Sequence, residues 1–279
     1  MRTHVIGASG FLGKAIQRQA ARRKDIIYYS SNSDESSNYN YFSLKEQNTW
    51  SALNINSNDT VILLSWRNLP NYNSDIHLHQ SLNELISLFD FITSRPLKKI
   101  IIPGSCYEYG MQSGKLKEEL PPSPVNNYAK AKNIFRTYTQ VKSNKLGIQY
   151  VWLRIFFPYG PGQYFNSIIP SLERAIAKGE KSFDISNGKK IRDFLSIDYV
   201  AEIFLKVALH SKADGIFNVG SGTPTTISEF LNSYIDRTGS SIKLNSGVLP
   251  DRNDEPFSFW ADCSKLKQQI LDPIQSESI

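Results

Sequence analysis

Gly7, Gly10 and Gly13 stand at intervals of three, directly after the short apolar run Thr3–Ala8 and directly before the helix-forming stretch Phe11–Arg22. Strand, glycine turn and helix in that order confine the start of the chain to one arrangement. Glycines permit a tight reversal and close backbone approach, while a helix N-terminus presents unpaired N–H groups and the positive end of its dipole. That combination suits the pyrophosphate of a dinucleotide, and the strand ahead of it strengthens an otherwise weak motif. A purely structural strand-to-helix turn is the plainer alternative. Gly7, Ser9, Gly10, Phe11, Leu12 and Gly13 are the candidate contacts.

Further apolar runs follow at IIYY (26–29), VILLSW (61–66), KIIIPGS (99–105) and YVWLRIFF (150–157), each separated by helical stretches. Such alternation predicts βαβ units and a parallel sheet. The expected fold is α/β, a Rossmann-type doubly wound parallel sheet. Ser30–Asn40 is polar and rich in Ser and Asn, which reads as a mobile loop after the second strand. From Pro158 the pattern breaks into Gly/Pro turns, a helix near Ile168–Lys178 and an irregular stretch from Gly239 to Pro256. These features predict a smaller C-terminal substrate-binding lobe. The division expected is 1–157, with a return segment about 190–220, for the dinucleotide-binding domain, and 158–189 with 221–279 for the lobe.

Tyr128 and Lys132 are four residues apart, so a helix beginning near Pro124–Asn127 places them on one face. A free phenol titrates near ~10 and is a poor proton donor or acceptor at neutral pH; an adjacent ammonium favours phenolate. Ser105 precedes the pair by 23 residues and adds a hydroxyl. A Tyr and a Lys at this spacing also occur by chance on many helices.

Composition sets limits. Of 279 residues, 40% are hydrophobic, enough to bury a large core. No apolar run approaches the roughly 18 residues of a membrane span. A strand beginning at Thr3 leaves no room for a signal peptide, and two cysteines, Cys106 and Cys263, point to a reducing compartment, so cytoplasm is expected. The net charge of +6 suits an anionic ligand, but the basic residues are scattered, which argues against nucleic acid. His4, His77, His79 and His210 lack metal-ligand spacing.

Taken in order, GASGFLG (7–13), GSCYEYG (104–110), YAKAK (128–132), LRIFFPYGPGQ (153–163), IRDFLSIDYVA (191–201) and DRNDEPFSFWAD (251–262) resemble the motifs of the extended short-chain dehydrogenase/reductases. This is the family of nucleotide-sugar epimerases, dehydratases and ketoreductases, and the likeness runs from Thr3 to about Leu271. It implies a catalytic set of Ser105, Tyr128 and Lys132, with Lys132 holding the nicotinamide ribose and lowering the Tyr128 pKa. It adds Ser65, Tyr128, Lys132 and Phe156 to the cofactor contacts, and makes Ser105, Tyr107, Arg192 and Arg252 substrate contacts, the two arginines on a diphosphate. Surface or salt-bridged arginines are the alternative, given Asp193, Asp251 and Asp254 beside them. The implied partner is a nucleotide-activated sugar.

NAD-preferring relatives place an Asp after the second strand. Here Ser30, Ser31 and Asn32 stand there, which favours NADP(H) with NAD(H) as the alternative; Asp34 or Glu35 takes the ribose if the strand ends later. Resembling 4,6-dehydratases follow the serine with Asp-Glu, whereas this chain has Cys106 and Tyr107. Bifunctional epimerase-reductases carry a Cys and a His where Tyr107 and Ser167 stand. What remains is reduction of a 4-keto-6-deoxy sugar nucleotide at carbon 4, in deoxysugar biosynthesis for surface polysaccharide. An NAD-dependent 4-epimerase and a non-catalytic cofactor sensor are the alternatives. Leu82, Leu85, Ile86 and Phe89, with Ala131, Ile134, Phe135, Tyr138 and Val141, decorate two helices that resembling proteins pair in a homodimer.

Overall fold

The computed structural model describes residues 1–32, 39–251 and 255–271. Its strands are β1 (Thr3–Ile6), β2 (Ile26–Ser30), β3 (Tyr39–Tyr41), β4 (Thr60–Leu63), β5 (Lys99–Ser105), β6 (Gly114–Leu116), β7 (Gln149–Ile155), β8 (Phe157–Tyr159), β9 (Ser182–Ile185), β10 (Ile191–Arg192), β11 (Phe194–Ser196), β12 (Gly215–Val219), β13 (Thr225–Thr226), β14 (Lys243–Ser246) and β15 (Phe259–Ala261). The longer helices are α1 (Phe11–Gln19), α2 (Leu82–Thr93), α3 (Asn127–Leu146), α4 (Ile168–Ala177), α5 (Ile197–Leu209) and α6 (Ile227–Thr238).

Seven strands form one parallel sheet in the order β12-β7-β5-β4-β1-β2-β3. The chain winds outward in one direction from β1 and in the other from β4. Between these two strands lies the topological switch point, where a sheet of this kind opens a crevice at its carboxyl edge. Gly7, Ser65 and Ser105 all leave the sheet at that edge. The strand interiors read as unbroken apolar runs because helices bury both faces. On one face α1 and α5 cover Val5, Ile62, Ile101 and Val151; on the other, α2 and α3 cover Ile6, Val61, Ile100 and Trp152.

A third cluster, built from α4, α6, β9 and Ile242, has its own core around Leu172 and Leu231, with Phe194 stacked on Phe230 at 3.8 Å between centroids. Short pairings complete this region: β8 with β11, β9 with β14, β10 with β13 and β6 with β15. Among the described residues, no helix is long and apolar enough to cross a membrane.

Several boundaries differ from the sequence reading. β1 stops at Ile6 because Gly7 adopts φ +92°, and β4 stops at Leu63, which puts Ser65 and Trp66 in the following loop. Ser30 closes β2, and Tyr39–Asn40, expected in a loop, pair with Tyr28 and Tyr29 in β3. Asp34 and Glu35 lie outside the described residues. The stretch after Gly239 contains β14, in parallel register with β9. Phe135 turns inward against Trp152 and Phe89 and is 1% exposed, whereas Ile134 and Val141 of the same helix face outward. A 20-residue helix leaning on a sheet buries one stripe, and Phe135 is in it.

Candidate active site

Asn126 caps α3, its side-chain oxygen accepting the Ala129 N–H at 2.8 Å. The Tyr128 N–H, another donor without a partner in the first turn, reaches the Tyr72 carbonyl at 2.9 Å. The helix start is therefore tied to the loop after β4. Tyr128 and Lys132 then face the end of β5: Lys132 Nζ donates to the Pro103 carbonyl at 2.8 Å, and the Tyr128 phenol lies near enough to Ser105 to feel its hydroxyl. All three residues are buried.

Burial dominates their protonation. It pushes the Tyr128 phenol well above the ordinary tyrosine range, with Tyr72, Glu108 and Cys106 adding to the effect and the nearby Ser105 hydroxyl opposing it. Burial also lowers Lys132 to about 7, against the pull of Glu108. This corrects the expectation that Lys132 lowers the tyrosine: the phenol keeps its proton, and the ammonium is the group held near neutrality. Lys132 lies over the Trp66 ring, and Trp66 Nε1 donates to His77 Nδ1 at 3.2 Å. Since His77 Nε2 faces the Asn71 carbonyl at 2.8 Å, its proton belongs on Nε2 and the ring is neutral, burial lowering its pKa.

The glycine turn fits a pyrophosphate. Gly10 precedes α1 without any side-chain cap, and the first turn carries no acid, so its N–H groups point outward unopposed. A Cβ on Gly7 would lie 2.9 Å from the Ser65 backbone nitrogen, and one on Gly13 would strike the Ala8 carbonyl. Across the crevice, Phe11 approaches Gly162 of the PYGPGQ turn. At the end of β2, Ser30 is buried and donates to Ser9 Oγ at 2.7 Å, so it has no proton to spare for a ribose phosphate; Ser31 and Asn32 are exposed. Phe156, expected against the cofactor, is 3% exposed and packs between Tyr109 and Phe259 in the core.

Among the expected substrate contacts, Tyr107 meets the Tyr72 ring tilted and the Phe157 ring edge-on, and donates its hydroxyl to Glu255 at 3.2 Å. Arg192 does not present a free fork. It is 2% exposed, donates to Glu255 at 2.8 Å and to the Ile191 and Phe257 carbonyls, and so follows the salt-bridged alternative. Arg252 lies outside the described residues. Arg67 pairs with both oxygens of Glu84. Cys106 is buried and its thiol pushed far up, which makes it a packed small side chain.

The sequence reading missed Glu108. Fully buried, it accepts the Ser105 N–H at 2.9 Å, Trp152 Nε1 at 2.9 Å and Arg154 Nε at 2.9 Å. The signal was present: Ser105-Cys106-Tyr107-Glu108 spells a capping box, and the structure forms both of its bonds.

The NAD dependent epimerase/dehydratase family model matches residues 3–220. The chain belongs to that family. Membership makes it an NAD(P)-dependent oxidoreductase or epimerase. Among curated relatives it is 26% identical over 206 residues to the dTDP-6-deoxy-L-talose 4-dehydrogenase (NAD(+)) of Aggregatibacter actinomycetemcomitans, covering 72% of this chain and 74% of the relative. It is 24% identical to the CDP-abequose synthase of Salmonella typhimurium, covering 94% and 90%. Among solved structures, the UDP-N-acetylglucosamine 4-epimerase from Methanobrevibacter ruminantium superposes with a TM-score of 0.84 at 25% identity, covering 95% and 90%.

Proposed function

We propose that this protein modifies a nucleotide sugar, and specifically that it reduces the 4-keto group of a nucleoside-diphosphate 4-keto-6-deoxy sugar. The observation that carries the reading is the burial of a protonated Tyr128 phenol close to Ser105 and one helical turn from Lys132, at the carboxyl edge of the sheet where the glycine turn also leaves it. The relative named dTDP-6-deoxy-L-talose 4-dehydrogenase supports it.

In this reading Gly7–Gly13 hold the cofactor pyrophosphate and Lys132 its nicotinamide ribose. The bound dihydronicotinamide supplies hydride. Ser105 and Tyr128 hold the keto oxygen by hydrogen bonds, and Tyr128 donates its proton as negative charge develops there. A phenol kept protonated by burial is suited to donation, the direction that reduction requires. Dehydration lacks its acid–base pair, since Cys106 is packed and Tyr107 is not a carboxylate. Residues 158–189 and 221–279 are proposed as the lobe that closes on the sugar nucleotide, and NADP(H) as the preferred cofactor. The outward apolar residues of α3, Ile134 and Val141, are proposed to meet a second copy in a homodimer.

A 4-epimerase is the second reading, favoured by the likeness to the Methanobrevibacter ruminantium 4-epimerase and by the NAD(+) in the name of the talose relative. NADPH oxidation with 4-keto-6-deoxy sugar nucleotides separates the two. Steady oxidation of stoichiometric NADPH supports reduction; interconversion of a 4-hydroxy sugar nucleotide with cofactor retained overturns it.

A further inference from the structure

The carboxylate of Glu108 lies directly beneath the proposed catalytic set, sealed from water. Oε1 accepts the backbone N–H of Ser105 at 2.9 Å, while the Ser105 hydroxyl in turn accepts the Tyr107 N–H at 3.2 Å. Oε2 takes Arg154 Nε at 2.9 Å, and Trp152 Nε1 bridges to both oxygens at 2.9 and 3.2 Å. Arg136 Nε approaches within 3.9 Å. The backbone makes room for this: a Cβ on Gly104 would be 2.7 Å from Glu108 Oε1 and would collide with the Trp152 indole nitrogen. A buried carboxylate with every acceptor engaged is expensive to build, and removing one partner of such a pair is strongly destabilising. A neutral capping residue would satisfy the turn at far lower cost.

We propose that Glu108 is a positioning residue which fixes the Ser105 hydroxyl through its backbone and whose carboxylate, bonded to the Trp152 indole beside Lys132, favours the lysine's ammonium form. This rests on the catalytic reading of Ser105, Tyr128 and Lys132. Around Lys132, the end of β5 contributes only the Pro103 carbonyl. The loop after β4 and the residues ahead of α2 contribute Trp66 and neutral His77; β7 contributes Trp152, with Arg154 turned to Glu108; α3 contributes Tyr128 and Arg136. Glu108 is the one group among these that favours the charged lysine. The same charge disfavours phenolate at Tyr128. Both effects favour the protonated form of the pair, the form that donates.

The test compares the protein with Glu108→Gln by two pH profiles, the dissociation constant of NADPH and kcat with a 4-keto-6-deoxy sugar nucleotide. In the variant, the pH above which both decline is displaced downward, and kcat falls roughly 10-fold or more through loss of Ser105 alignment. If both midpoints stay where they are in the native protein, with only a uniform loss at all pH values, Glu108 is structural and the proposal is overturned. Should the variant misfold with Arg154 unpaired, Glu108→Gln combined with Arg154→Met removes the orphaned charge and carries the same measurement, with the same downward displacement expected. A native protein that binds NADPH but reduces no keto sugar rejects the catalytic reading, while the NADPH profiles still decide the role of Glu108.

Discussion

Lys132 Nζ lies 4.2 Å from the centroid of the Trp66 ring. The indole face compensates in part for the water that the ammonium has lost, an interaction of about 2 kcal/mol when desolvated. Trp66 is itself pinned by His77, so the loop after β4 forms one wall of the lysine site. The compensation is incomplete, because burial still brings Lys132 down to about 7.

A stability consequence follows, with a definite sign. In the unfolded chain Lys132 titrates at 10.5 and in the folded protein at about 7. Below the lower value both states hold the proton, and folding carries the whole cost of a buried ammonium. Between the two values the folded state is free to release it, and stability rises with pH. Lys132→Met should therefore be more stable than the native protein below the folded pKa, by about 1–4 kcal/mol, with the advantage shrinking as pH climbs toward the unfolded value. Urea midpoints at several pH values check this; a variant less stable throughout contradicts it.

Tyr128→Phe removes the proton donor and leaves the fold, since the ring packs unchanged against Trp66, Tyr72 and His77. Turnover should fall by roughly 10²-fold or more while NADPH affinity is retained. Undiminished turnover would place the donor elsewhere.

Cofactor choice is expected to follow the end of β2. With Ser30 committed to Ser9, the exposed Ser31 and Asn32 are left to meet the ribose 2′ position. The native protein should show higher kcat/KM with NADPH than with NADH, and Ser31→Asp should invert the order by repelling the 2′-phosphate. A native protein that prefers NADH, or purifies with tightly held NAD, goes against both this and the reductase reading.

The two apolar faces of α3 are separable by substitution. Val141→Glu, at a position 64% exposed, should leave a folded monomer by light scattering, whereas Phe135→Glu buries a charge beside Trp152 and should unfold the chain. A native protein already monomeric at micromolar concentration removes the dimer.

The sheet was legible because its strands are apolar runs with no competing period, and α3 was legible because Tyr128 and Lys132 obey helical spacing. The short strands were not. β3 is only three residues long and β14 carries mostly polar residues, and both exist through pairing with β2 and β9, which local sequence does not encode. Within the site, Ser105, Tyr128 and Lys132 converge as their motifs implied. The Arg192–Glu255 ion pair was not legible, because the two residues lie 63 positions apart. Glu108 went unread although its capping box was on display. That motif announces a backbone role, while the charge it places under Lys132 depends on Arg154 and Trp152 arriving from β7.

The missing side chain at Gly104 sets how this protein can be altered. Even alanine there presses into Trp152 and crowds Glu108, so a mutational library will find the position intolerant although its own atoms carry no chemistry. Tyr72, Tyr107 and Phe157 are only half-buried and meet ring to ring, and among them Tyr107 and Phe157 also touch the Arg192–Glu255 pair. Side chains are thus easier to exchange at these half-buried rings than at Gly104, where the packing admits not even a methyl group.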